Sequence, residues 1–507
     1  MSLLLVHPPV TKACEPPAGI ARLAGMLSRH GVEHELLDAN LEGLVYLMTR
    51  PGEGSDRWTK RAYRNAHRNL TALKERQTYQ NSDRYRRTVF DLNRVLEASS
   101  VSFAAGVSLS NYQQHNLSPV RSGDLLHAAE VPEDNPFFSY FSKRLTELLC
   151  NNPRKAVGFS LNFLSQALCT FAMVGFLRRY FPELTLIVGG GLVTSWMHKP
   201  DWVNPFGGLV DHLAAGPGEH ALLSFLGVEA DKEALYRPEY QALPGDEYFS
   251  PGFILPYSAS AGCYWNRCSF CPERAEKNPY VPVPVHQAIA DLHSLTAQTR
   301  PVLIHLLDNA LSPALLKALC LDPPGVPWYG FARITQHFIN QDFCEALKRC
   351  GCVMLKLGLE SGSQDVLDRE HKGVNLEMAA TALATIKTAG IATYAYLLFG
   401  TPSETAETAR ETLHFTAAHS EYIDFLNLAI FNLPVYAPDT HELATQPAYE
   451  GDLSLYTGFV HPQGWHRGLV RQFLDKEFKR HPAVASILRR DPPFFTSNHA
   501  PFFCDGL

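Results

Sequence analysis

The stretch Ala261-Gly262-Cys263-Tyr264-Trp265-Asn266-Arg267-Cys268-Ser269-Phe270-Cys271-Pro272 gathers three of the chain's eleven cysteines in the spacing C-x4-C-x2-C. Three thiolates on one short loop can hold three corners of a metal site. The other eight, Cys14, Cys150, Cys169, Cys320, Cys344, Cys350, Cys352 and Cys504, are scattered over 507 residues, which argues against a disulfide scaffold. A structural zinc site needs four ligands. The next histidine, His286, stands fifteen residues beyond Cys271 and makes a Cys3His zinc site one reading. The other is an iron–sulfur cluster, because clusters are held by closely spaced thiolates. A [4Fe–4S] cluster on three cysteines leaves one iron open. Spacing alone does not choose between them.

Outward from this loop the chain alternates strand and helix. Apolar strands are expected at Val302–Leu307, Trp328–Ala332, Val353–Leu359, Ala392–Phe399 and Phe425–Phe431, after a start near Ile254. Segments such as 342–348 and 377–389 carry helical periodicity between them. Five or six such units in residues 251–433 predict a partial (β/α)6 barrel, short of the eightfold one of about 250 residues. In such a fold the chemistry sits at the carboxyl ends of the strands. Residues 434–507 form a C-terminal extension with many Pro, His and aromatic residues and no clear period.

The other end of the chain has the same grammar. Leu3–Val6 is an apolar strand, Gly19–Leu27 a helix with Ile20, Leu23, Ala24 and Leu27 on one face, and Glu35–Asp38 a second strand. The pattern resumes with Val157–Leu161, a helix to about Tyr180, and Leu184–Val188 running into Gly189-Gly190-Gly191. Continuous apolar strands between helices predict a Rossmann-like parallel α/β sheet over 1–227. Glycines at a strand's carboxyl end let a ligand approach the backbone closely. Between these halves, about residues 46–150, lies an expected helical insertion. Its stretch 50–97 holds twelve Lys and Arg against six Asp and Glu, read as a solvated helical face rather than a nucleic-acid arm. Residues 228–250, with Pro238, Pro244 and Gly245 among charges, read as a linker.

Composition bounds the function. A net charge of −6, with 46% apolar and 19% charged residues, excludes a disordered chain or coiled coil and speaks against a nucleic-acid binder, which needs a basic face. No apolar run reaches the 18 or so residues of a membrane span, and the first residues have no basic segment of a signal peptide. A cytoplasmic protein without a membrane partner is expected.

Taken together these residues resemble the radical S-adenosylmethionine (radical SAM) superfamily. The carriers are the three-cysteine loop with an aromatic before its last Cys, Leu306-Leu307-Asp308-Asn309, Gly330-Phe331-Ala332-Arg333, Gly358-Leu359-Glu360-Ser361-Gly362, and Phe399-Gly400-Thr401-Pro402-Ser403-Glu404-Thr405. Their order and spacing are more specific than any one of them. The N-terminal part is similar to the cobalamin-binding domain fused to one radical SAM class, through Pro8-Pro9, residues 15–20, Val157-Gly158-Phe159-Ser160, Gly189-Gly190-Gly191 and Gly216-Pro217-Gly218-Glu219. The two resemblances cover about 1–45 and 155–435. They imply that Cys263, Cys268 and Cys271 hold a [4Fe–4S] cluster on which SAM is reductively cleaved, with an external one-electron reductant and a small-molecule or peptide substrate. They imply that Asp308 pairs with the SAM ammonium, Arg333 with its carboxylate and Glu360 with its amino-acid or ribose groups, while Phe270 packs near the adenine. Cobalamin is expected against Ser160, Gly190 and Gly191, and methyl transfer is one expected outcome. Two departures stand out. The family's common spacing is C-x3-C-x2-C, so this loop has one extra residue. The D-x-H-x-x-G histidine of many cobalamin domains is missing where Thr11-Lys12-Ala13-Cys14 stands.

Overall fold

The computed structural model describes residues 2–503 apart from 53, 55, 153, 200, 230–234, 447–450 and 494–499. Cys504 and part of the expected linker therefore lie outside the described residues. The chain forms two compact units. One comprises Met1–Ile254, Glu450–Leu455 and Pro492–Asn498, and the other Leu255–Tyr449, Tyr456–Asp491 and His499–Leu507.

The first unit is built on a five-stranded parallel sheet: β1 (Leu3–His7), β2 (His34–Asp38), β3 (Ala156–Ser160), β4 (Thr185–Gly189) and β5 (His212–Ala214), in spatial order β2-β1-β3-β4-β5. β1 is buried on both faces because helices cover the sheet on either side, which is why its sequence does not alternate. The order reverses between β1 and β3, the switch point where open α/β sheets place ligands, outside the carboxyl ends. The insertion supplies two long helices, Arg57–Leu73 and Ser82–Ser100, tied by Arg61–Asp91 (3.1 Å) and Arg94–Asp56 (2.8 Å). It is not wholly helical as expected: Ala105–Val107 and Tyr112–Gln114 pair as a short antiparallel hairpin. Three-residue strands are too short to set a period that could be read from the residues. Residues 235–250 lie against this unit: the Glu239 N–H donates to the Ala21 carbonyl (2.9 Å), and Tyr240, Tyr248 and Phe249 are buried. Gly25 is needed there, since a Cβ on it would lie 1.9 Å from the Arg237 carbonyl oxygen.

The second unit carries β6 (Ile254–Tyr257), β7 (Leu303–Leu306), β8 (Trp328–Ala332), β9 (Cys352–Glu360), β10 (Ala392–Phe399) and β11 (Phe425–Ile430). Neighbours in the sheet follow one another in chain order, and the pairings from β7 to β11 are parallel. That is the strand order of a singly wound barrel, open between β6 and β11 among the described residues. Strand ends therefore converge on one edge, where the loops after β6, β7, β8, β9 and β10 lie. The extension contributes a small antiparallel sheet (Leu433–Pro434, Thr445–Gln446, Tyr456–Phe459) and the helices Arg467–Phe473 and Pro482–Arg490. Among the described residues no helix is long and apolar enough to cross a membrane.

Candidate functional site

The cysteine loop follows β6 and is shaped by two backbone devices. Gly262 has φ +70°, and a Cβ there would lie 2.3 Å from the Pro279 carbonyl oxygen, so only glycine lets the loop turn this tightly against its return strand. Asn266 has φ +44° and stands inside the C-x4-C span. Asn tolerates the left-handed conformation, so the extra residue is taken up as a local kink. Cys268 is buried, while Cys263 and Cys271 are half-buried. Burial pushes the Cys268 thiol up, offset by the cations of Lys372 and Arg333. Burial likewise pushes Cys271 up to about 11, although the Glu273 and Arg274 N–H groups bond its sulfur. Cys263 acts electrostatically on both.

These thiols are thus neighbours in a desolvated loop beside two buried cations. Among the described residues no three His, Cys, Asp or Glu side chains converge as the ligands of a single ion. His286 is exposed, on the helix Val285–Thr299. The donor set and the flanking cations fit a negatively charged thiolate cluster.

Two cations and one acid surround Cys268. Arg333, at the end of β8, is 7% exposed and stacks on Trp265, its guanidinium carbon 4.0 Å from the ring centroid. Its Nη2 donates to the Lys372 carbonyl (2.6 Å). No carboxylate pairs with it among the described ion pairs, so the remaining donors of its fork face no fixed anion. Glu360, the last residue of β9, has φ +68°, a strained conformation typical of sites that must aim a side chain. It pairs with Lys372 (2.8 Å), not with Arg333. Asp308 is 2% exposed and accepts from the Ala259 N–H (3.1 Å) and the Ser260 hydroxyl. It is bonded to the root of the cysteine loop. The helix that follows is capped by Ser312, so Asp308 is not its N-cap. Phe270 lies 5.8 Å from the Lys372 ammonium and packs against an apolar cluster of Ala275, Phe431, Leu433 and Ala437.

Several residues packed around these loops were not assigned a role from the sequence. Lys372 follows a run of mixed charges with no periodicity. Glu370 accepts hydroxyl hydrogen bonds from Ser269 of the cysteine loop and Ser403 of the loop after β10, clamping the two. Trp265 donates to the His371 carbonyl (3.0 Å) and requires Gly373, where a Cβ would lie 2.2 Å from its ring. Glu404 is 1% exposed. One of its oxygens accepts from the Gly400 N–H (2.5 Å) and the Trp465 Nε1–H (2.8 Å), and the other has no partner. Burial raises its carboxyl from 4.5 to about 7.

In the first unit, Ser160 ends β3 and accepts from the Asn162 amide (3.0 Å), and the Gly191 N–H donates to Asn162 Oδ1 (3.0 Å). Gly190, with φ +112°, is demanded by its own chain: a Cβ would lie 2.4 Å from the Leu161 carbonyl oxygen. A Cβ on Gly216 would meet nothing within 4 Å, and Phe163, next to Asn162 in sequence, is 58% exposed. The carboxyl edge of this sheet thus has open backbone and an exposed apolar ring, a setting that suits a large planar ligand. His7 ends β1 but is buried. Its Nε2 faces Thr11 Oγ1 (3.1 Å), its Nδ1 has no partner, and burial lowers its pKa.

Comparison with known proteins agrees with this geometry. Residues 257–416 match the model of the radical SAM superfamily. The chain is 26% identical over 188 residues to the uncharacterised methyltransferase PH0819 of Pyrococcus horikoshii, covering 35% of this chain and 40% of that protein. It is 26% identical over 178 residues to the anaerobic magnesium-protoporphyrin IX monomethyl ester cyclase of Rubrivivax gelatinosus, covering 33% and 32%. The matches thus span less than half the length of these curated relatives. Among solved structures, the cobalamin-dependent radical SAM enzyme OxsB superposes with TM-score 0.60 at 13% identity, over 94% of this chain and 67% of that one. The radical SAM methyltransferase TsrM of Kitasatospora setae, with cobalamin and a [4Fe–4S] cluster, gives 0.55 at 16%, over 97% and 91%. The family model thus identifies residues 257–416 as a radical SAM domain, and over most of the chain the fold is similar to that of solved cobalamin-dependent radical SAM enzymes.

Proposed function

We propose that this chain is a radical SAM enzyme that reductively cleaves S-adenosylmethionine at a [4Fe–4S] cluster, with cobalamin as a second cofactor and methyl transfer to a small molecule or peptide as its outcome. The observation that carries the reading is the loop of Cys263, Cys268 and Cys271, desolvated and beside Lys372 and Arg333. When bound, such a cluster supplies the electron that splits the sulfonium S–C5′ bond, and an external reductant replaces it. The chain's own residues position and shield. Arg333, buried and free of a carboxylate partner, is the fork for the SAM carboxylate. Glu360, aimed by its backbone, offers its second oxygen to the polar groups of SAM. Asp308 is a positioning residue that fixes the loop root through Ala259 and Ser260. Phe270 excludes water beside the cysteines. Cobalamin would lie on the carboxyl edge of the first sheet over Ser160, Gly190 and Gly191, held by backbone rather than by a histidine, since His7 is buried. The test is anaerobic reconstitution followed by reduction with SAM. The account expects iron and cobalt in the protein and release of methionine. A colourless protein that leaves SAM intact would refute it.

A further inference from the structure

A cavity of about 510 Å³ opens in the second unit at the carboxyl ends of β10 and β11, walled on its far side by the C-terminal extension. Its size falls within the roughly 300–1,000 Å³ of small-molecule sites. One wall is apolar: Phe431 and Phe459 meet edge to face (5.8 Å between centroids), and both pack in the cluster that contains Ala275 and Phe270. Phe270, next to Cys271 on the cysteine loop, thus packs in the same apolar cluster as this wall. Beside this wall the lining is cationic. Arg467 and Arg471 are one turn apart on the helix Arg467–Phe473 and both line the cavity, as does His466. Arg467 Nη1 is held by the Asn432 side chain (2.7 Å) and the Phe431 carbonyl (3.3 Å), which are neutral acceptors. Its Nε and Nη2 remain available. Neither arginine has a carboxylate partner among the described ion pairs, and among the described residues no Asp or Glu lines the cavity. The floor is fixed by Trp465, which donates to Glu404, and by His461. The His461 Nε2–H donates to the Thr401 carbonyl (2.8 Å), while its Nδ1 accepts from the Trp465 N–H (3.2 Å), so that ring is held neutral and rigid.

We infer that this cavity is a substrate site for a small molecule that carries a single anionic group, carboxylate or phosphate, on an apolar planar body. The anion would sit between Arg467 and Arg471 and the body against Phe431 and Phe459. Two guanidinium forks without a protein anion are the chemistry that recognises such a group. The aromatic wall then directs the apolar part toward the cysteine loop. The inference rests on the radical SAM reading only for what is done to the bound molecule; binding itself does not require the cluster reaction.

The test is titration of the anaerobically reconstituted full chain with 1-naphthoate, 1-naphthyl phosphate and the neutral 1-naphthalenemethanol, by calorimetry. Binding of at least one anionic probe and none of the neutral one is expected. Arg467→Gln and Arg471→Gln should each raise its Kd about tenfold, the loss of one charge-assisted hydrogen bond. Preference between carboxylate and phosphate identifies the source of the charge. Far-ultraviolet circular dichroism and iron content of the variants establish that they fold. Equal binding of the neutral probe, no binding of either anion, an unchanged Kd in the folded double variant, or simple competition by SAM would each overturn the inference. Wild-type SAM cleavage, measured in parallel, separates the two proposals: cleavage without probe binding removes only this one, and probe binding without cleavage removes only the radical reading.

Discussion

Arg333 and Glu404 are buried charges with different reasons for being there. Arg333 is stacked on Trp265 and bonded to one carbonyl, with no acid to neutralise it. A buried cation without a fixed anion is costly, so an anionic ligand repays it. Arg333→Lys keeps the charge but loses the fork and the stack. It should raise the KM for SAM roughly tenfold with a smaller effect on kcat. An unchanged KM would remove Arg333 from the SAM site. Glu404 is a carboxyl raised to about 7 by burial, with one oxygen unpartnered. The folded state holds its proton where the unfolded chain has already lost it. Between about pH 4.5 and 7 the native state therefore binds more protons, and stability falls as pH rises through that window. Glu404→Gln keeps the acceptor for Gly400 and Trp465 and removes the charge. It should flatten that decline and stabilise the protein at pH 8 by up to about 3 kcal/mol, read from denaturation midpoints at pH 5 and pH 8. Parallel pH profiles for the two proteins would contradict the assignment.

The cysteine loop is held as an element at three points: Asp308 at its root, the Gly262 turn against Pro279, and the Glu370 clamp to Ser269 and Ser403. Glu370→Ala releases two hydroxyls at once. Iron retained after reconstitution should fall to less than half, with the fold intact by circular dichroism; full retention would show that the clamp is dispensable. Asn266→Gly should be tolerated, whereas Asn266→Val should cost about 1–2 kcal/mol, because a β-branched residue resists the left-handed conformation. Thermal melts of the two variants decide this. Much of this loop was legible in the residues: C-x4-C-x2-C gave the thiols, and the extra residue was visible by counting. The strands Trp328–Ala332 and Ala392–Phe399 were also readable to the residue, since buried parallel strands are continuous apolar runs. Lys372, Glu370 and Glu404 were not, because their roles come from contacts between loops far apart in sequence. The arginines of the extension were hidden by the same limit, whereas the hairpin at 105–114 was hidden because its three-residue strands set no period. Asp308 was found by position, but its carboxylate proved to be fastened to Ala259 and Ser260.

The molecule as a whole is two compact α/β units, each with its strand ends gathered at one edge. In the first, the switch point between β1 and β3 lies beside Ser160, Asn162 and the glycines after β4. Hydroxocobalamin should stabilise this unit by mass action. Amide exchange in its presence should slow in the segments 160–163, 189–192 and 216–218. Absence of protection there, with protection elsewhere, would place cobalamin differently or remove it. In the second unit the proposed cofactor site comprises the cysteine loop and the loops after β8 and β9. Its sheet is open, and the C-terminal extension lines a cavity next to that edge rather than adding strands to the sheet. The extension is also the part whose short strands left no period to read.

The decisive experiment is electron paramagnetic resonance of the reduced, anaerobically reconstituted chain, with and without SAM and alongside its iron content. Three cysteines holding a cube with one exchangeable corner predict about four irons per chain and a spectrum that changes when SAM is added, both lost in Cys268→Ala. A single bound metal ion, or a cluster whose spectrum ignores SAM, would contradict it.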